Sequence, residues 1–188
     1  MANTSRILLT TIVCLVTSSI IAYLDKTDNA VIIILFTFTL AIILTNLDRL
    51  TMNVIKAIIL GLLLSMIMYF VVIITTIGLE PLLKEVGIVI VACFAAVLMF
   101  VINSLYFDMQ RFKIGLIATA LFAIPSFYLS THLTQYFTSI VNTDGLAVNL
   151  EVFIIVWQTL VGLGISIGIW FQSPKFTNSP TNPSPKLS

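Results

Sequence analysis

Six long apolar runs, separated by short polar connections, organise this chain: residues 7–24, 30–47, 54–78, 86–107, 113–131 and 149–171. Roughly 20 residues of α-helix cross a hydrocarbon core about 30 Å thick, so each run predicts a membrane span. The third and sixth are long enough to tilt. Within the runs Ile, Leu, Val and Phe follow one another without the alternation of a barrel strand. The predicted fold class is therefore all-α: a polytopic membrane protein whose bundle of six transmembrane helices fills residues 1–172.

The connections complete this picture. Residues 48–53 and 108–112 are short, which makes the helices they join antiparallel neighbours. Residues 25–29 (Asp-Lys-Thr-Asp-Asn) read as a tight polar turn. In residues 79–85, Pro81 is expected to stop the third helix and start the fourth. The longest segment, 132–148, has Leu133, Tyr136, Phe137, Ile140 and Val141 at helical spacing. It is either a short interfacial helix or an outward continuation of span five, ended by the turn chemistry of Asn142-Thr143-Asp144-Gly145. Residues 173–188 hold four of the six prolines with Ser, Thr and Asn, and are expected to form a disordered tail.

Composition agrees with membrane burial: 59% of residues are hydrophobic and 9% charged, against about 25% charged in soluble domains. The net charge of +1 gives no reason to expect a nucleic-acid partner. It averages two unlike faces. Arg6, Arg49, Lys56, Arg111, Lys113, Lys175 and Lys186 fall on the side holding both termini, and only Lys26 and Lys84 on the other. Asp25, Asp28, Glu80, Glu85, Asp144 and Glu151 lean the opposite way. The positive-inside rule then places both termini in the cytoplasm, and the expected location is the cell (inner) membrane. Arg6 ahead of an apolar run resembles a signal peptide, but the run lacks an A-x-A cleavage pattern before Asp25, so a retained signal-anchor helix is expected. Cys14 and Cys93 fall inside spans and set no disulfide framework.

Ionisable groups deep in a bilayer mark functional sites, and the middle of each run contains none. Lys56 lies about one turn inside span three, where it can snorkel to the interface. Glu151 lies near the outer start of span six, as an edge carboxylate or a proton or substrate site. Asn46 and Asn103 stand near the ends of spans two and four, each followed by Asp and Arg. Trp157 and Gln158 lie two turns into span six. Such polar groups either bond helix to helix or line a pathway. Gly162/Ser166 and Gly164/Gly168 in span six, and Gly61/Ser65 in span three, are small-residue pairs that let backbones approach, within the bundle or in a homo-oligomer. Pro125 should kink span five. No nucleotide-binding loop, G-x-S-x-G, H-E-x-x-H or Cys/His metal spacing occurs, and there is a single His, His132. No enzymatic activity, metal or cofactor is expected.

One resemblance covers residues 6–174. Arg6 before span one, then Asn46-Leu-Asp48-Arg49, then Asn53-Val-Ile-Lys56-Ala-Ile-Ile-Leu-Gly61 opening span three, resemble the membrane domain of the fusaric acid resistance and aromatic acid exporter superfamily. Phe107-Asp108-Met-Gln-Arg111-Phe, Ile124-Pro125 and Gly164-Ile-Ser-Ile-Gly168-Ile-Trp170 resemble the later half of its compact six-span members. The resemblance implies export of small organic, often aromatic, acids with a periplasmic adaptor protein as partner. It also implies a membrane-only form, since larger members carry a cytoplasmic domain. On that reading an anion enters among Arg49, Lys56 and Arg111 and passes Asn46 and Asn103 toward Trp157 and Gln158. The alternative is a small membrane interaction protein, such as a toxin-immunity or assembly partner.

The topology is directly testable. Reporter fusions after Lys26, Lys84 and Gly145 should read external, and those after Arg49, Arg111 and Pro174 internal. An external reading at Pro174 would overturn the six-span arrangement.

Overall fold

The computed structural model describes residues 3–24, 30–141 and 150–171. Helix α1 spans Asn3–Leu24, α2 Ala30–Thr45, α3 Val54–Ser104, α4 Phe112–Val141 and α5 Leu150–Trp170, with one 3-10 turn at Leu47–Arg49. The chain is an all-α helical membrane protein: five segments are long and apolar enough to cross a bilayer, namely Asn3–Ile21, Val54–Gly78, Val86–Ser104, Phe112–Tyr136 and Val152–Trp170. At 16 residues, α2 is about 24 Å long, short of the core thickness. It nonetheless packs inside the bundle through Leu35, Phe38, Ala41, Ile42 and Ile43.

Two expected connections differ. Helical backbone runs unbroken through residues 79–85, where a loop around Pro81 was expected. A straight helix of 51 residues would be about 75 Å long. Its two ends nevertheless meet, because Thr51 N–H donates to the Tyr106 carbonyl at 3.0 Å and Asp108 N–H to the Arg49 carbonyl at 2.9 Å. Helix α3 must therefore double back near its midpoint, between an outgoing arm, Val54–Gly78, and a returning arm, Val86–Ser104. The chain reversal expected of Pro81 is present; the loop is not. Secondly, α4 continues to Val141, so the first part of segment 132–148 prolongs span five. The turn at 25–29, residues 142–149 and the tail at 173–188 lie outside the described residues.

Helix α5 is the centre of the bundle. Its buried positions Ile154, Trp157, Gln158, Val161, Gly162, Gly164, Ile165, Gly168 and Ile169 cover nearly half of the helix circumference, and Val156, Ser166 and Trp170 widen the buried arc well beyond half. The helices around it bury narrow stripes of small residues. On α1 these are Thr10, Cys14 and Ser18; on α4 they are Gly115, Thr119, Ala123, Ser126 and Ser130. Spacings near four place each set on one face. Their outward faces carry Leu8, Ile12, Ile117 and Leu121, exposed to the lipid.

The contact between α4 and α5 is made backbone to backbone. A Cβ added at Gly164 would stand 2.5 Å from the Thr119 Cα and 2.7 Å from its nitrogen. One added at Gly115 of α4 would stand 2.4 Å from the Gly168 Cα. The small residues expected on span six thus pack inside one chain: Gly164 and Gly168 meet α4, while Gly162 faces Cys14 and Phe38. Gly61 meets Thr39 and Ile43 of α2 in the same manner. Of the two roles expected for the Gly164/Gly168 pair, these contacts are the ones within the bundle. The Thr119 hydroxyl in the α4 stripe and the Ser166 hydroxyl of α5 bond their own helices, at the Gly115 and Gly162 carbonyls, both at 2.7 Å, whereas Ser18 of the α1 stripe donates across to Gln158. Thr119 and Ser166 act as small residues with no polar atom left to satisfy.

The doubling back of α3 has a direct test. Leu50 and Phe107 form an antiparallel bridge flanked by the two loop hydrogen bonds, which makes them a close pair with Cα atoms about 4.5 Å apart. Cysteines at both positions, with Cys14 and Cys93 replaced by alanine, should form a disulfide under mild oxidation. Failure to cross-link would contradict the reversal.

Candidate functional site at the basic end of the bundle

The described ends of the chain meet at one end of the bundle, around Trp170 in the last turn of α5. Its indole is buried and two guanidinium groups lie over it: Arg49 Cζ is 4.5 Å and Arg6 Cζ 5.5 Å from the ring centroid. Such contacts contribute about 0.5–2 kcal/mol each, more as water is excluded. The indole Nε1–H donates to Asn46 Oδ1. Because an indole can only donate, the Asn46 amide orientation is fixed. Its Nδ2 donates to the Ile42 carbonyl at 2.8 Å, to Thr45 Oγ1 at 3.0 Å and to Thr10 Oγ1 at 3.2 Å. One fully buried amide therefore ties α1, α2 and α5 together.

The polar loops close over this centre. Arg6 contacts Asp48 at 3.5 Å and Arg49 contacts Asp108 at 3.9 Å. Both carboxylates are half-exposed, so each pair contributes at most about 1 kcal/mol. The backbone contributes more to order. Besides the two hydrogen bonds between the loops, Arg111 N–H at the start of α4 donates to the Gly168 carbonyl at 3.0 Å. That bond joins an orphan donor of one helix start to an orphan acceptor of another helix end. Asn103 is also fully buried: its Nδ2 donates to the Met99 carbonyl at 2.8 Å, and its Oδ1 accepts from the Tyr106 hydroxyl at 3.0 Å.

The residues expected to form a pathway are thus partly gathered. Asn46, Arg49 and Arg111 lie at this end, held by the contacts above, with Asn103 just inside it. Lys56 and Lys113, in the first turns of α3 and α4, are exposed. Gln158 lies 12 residues before Trp170, about 18 Å deeper. Its Oε1 accepts from Ser18 Oγ at 2.7 Å, while its Nε2 is buried with no partner among the described residues. Trp157 points elsewhere, donating to the Ala92 carbonyl at 3.0 Å. Pro125 is exposed on the outside of α4, so it faces lipid and lines no internal route. The Glu151 side chain lies outside the described residues. Among the described residues no group of three His, Cys, Asp or Glu could hold a metal ion.

Sequence reasoning missed Trp170, Thr10, Tyr106 and Ser18, and missed Arg6 as anything but a topology signal. An indole ending the last span on the basic side was the available clue to Trp170. Replacing Asn46 with Leu strands the Trp170 donor, and should cost about 1–3 kcal/mol in reversible unfolding. Gln110→Leu, at an exposed residue whose side chain donates to exposed Asp108, should stay within about 0.5 kcal/mol. Equal effects would show that the amide is not the hub.

No family model, curated protein or solved structure matches the chain.

Proposed function

We propose that this chain is a non-enzymatic membrane interaction protein, an assembly partner that engages another protein through the basic end of its bundle. The observation that carries this reading is the way that end is held. Two loops bonded to each other, a helix start bonded to a helix end, and a buried Asn–Trp pair fix the backbone beneath a cationic surface. Arg6 and Arg49 pair with Asp48 and Asp108 there, and Arg111, Lys113 and Lys56 add positive charge in excess of those two carboxylates. A rigid surface with that excess suits an acidic segment of a partner, since little ordering is required on one side. The cation bias supports a cytoplasmic position for this end. A photo-cross-linking residue at exposed Lys113 should trap one discrete protein adduct in cells, whereas the same residue at lipid-facing Leu121 should not. Equal trapping at both sites, or none at Lys113, would overturn the reading.

One observation favours the second reading, export of small organic acids with an adaptor. Gln158 presents a buried amide donor with no partner among the described residues, deep in the bundle, as a site awaiting a polar group would. On this reading Gln158→Leu abolishes resistance to aromatic acids at equal protein level. Unchanged resistance would remove Gln158 from any pathway.

A further inference from the structure

Between α2 and the outgoing arm of α3 lies a cavity of about 210 Å³, lined by Leu35, Phe36, Ser65, Met66, Tyr69 and Phe70. Of the lining side chains that carry a hydroxyl, Ser65 and Tyr69, the smaller is already engaged. Thr39 Oγ1 lies 2.7 Å from Ser65 Oγ and itself donates to the Leu35 carbonyl, so Ser65 is the donor within the pair. The groove therefore offers an occupant only apolar and aromatic surface.

A stripe leads to it from the basic end. Lys56, Ile59, Leu63, Met66 and Phe70 recur at alternating steps of three and four, which places them on one face of the arm. All five are exposed. Lys56 is in the first turn of α3, and no ion pair to it occurs among the described residues. Met66 and Phe70 lie 10 and 14 residues further on, about 15–21 Å along the axis. That is the distance from a headgroup to the middle of a bilayer about 30 Å thick.

We propose that this face binds one anionic phospholipid, with its phosphate at Lys56 and an acyl chain running past Ile59 and Leu63 into the groove at Met66 and Phe70. Charge decides against a second copy as the occupant. Two protomers in the same membrane pair about an axis along the normal, so a seam on this stripe would set Lys56 beside its own counterpart. An anionic headgroup removes that conflict. The groove then holds the end of the chain, which distinguishes the site from generic contact with lipid along the other exposed faces.

Native mass spectrometry of the full chain tests the proposal, with phosphatidylglycerol and phosphatidylcholine of identical acyl chains supplied in equal amounts. The wild type should retain one phosphatidylglycerol in preference. Lys56→Gln should lower that preference about fivefold, the worth of one lysine near an anionic surface. Met66→Trp, which fills the groove from an exposed position, should reduce retention of both lipids. Equal retention of the two lipids by the wild type, or a preference unchanged in Lys56→Gln, would overturn the proposal. So would undiminished retention in Met66→Trp, or displacement by equimolar oleate, which would assign the site to a free fatty acid.

Discussion

Lipid offers no hydrophobic gain for bringing two apolar helices together, and that constraint governs this fold. What remains is close packing and the satisfaction of polar groups. Helix α5 meets the first requirement by alternating bulky and small residues, so that Gly164 lies directly on the α4 backbone at Thr119. The facing stripes on α1 and α4 are built of Gly, Ala, Ser, Thr and Cys for the same reason. Bulk is placed outward, where lipid accepts it. The residues that look most polar in the spans are therefore largely packing residues, with their hydroxyls bonded to their own helix.

The second requirement is concentrated at one end. Helix ends leave orphan donors and acceptors, and here they are answered by other parts of the bundle. Arg111 N–H meets the Gly168 carbonyl, the loop at 49–51 pairs with the loop at 106–108, and the Asn53 side chain caps α3 by accepting from Ile55 N–H at 2.9 Å. Asn46 then links this collar to the core through Trp170 and Thr10. The basic residues read as topology signals thereby also build a fixed surface. The proposed docking role rests on that surface, and the proposed lipid site on Lys56 beside it, for which no ion pair occurs among the described residues.

Much of this architecture was legible in the sequence because length and hydropathy alone define a membrane helix. The six runs, their antiparallel order and the gathering of Arg6, Arg49 and Arg111 at one end all follow from local composition. Gly162, Gly164 and Gly168 were legible as contact residues, but their partner was not, since choosing between α4 and a second protomer requires the tertiary arrangement. The stripe Thr10-Cys14-Ser18 was overlooked because its residues differ chemically while sharing only small size. Asn46 and Asn103 were legible as groups that either bond helix to helix or line a pathway, and their amides are bonded within the bundle. Pro81 misled on local grounds: the reversal it marks is accommodated in continuous helical backbone.

The central claim is that the contact of α4 with α5 holds the bundle together through absent side chains. Reversible unfolding in bicelles measures this, comparing Gly164→Ala with Gly78→Ala. A Cβ at Gly164 would collide with the Thr119 backbone, whereas one at Gly78 meets nothing within 4 Å. The account predicts a loss of about 1–3 kcal/mol for Gly164→Ala, as for other overpacked sites, and no loss, or a small gain from helix propensity, for Gly78→Ala. Equal stability of the two variants would contradict it.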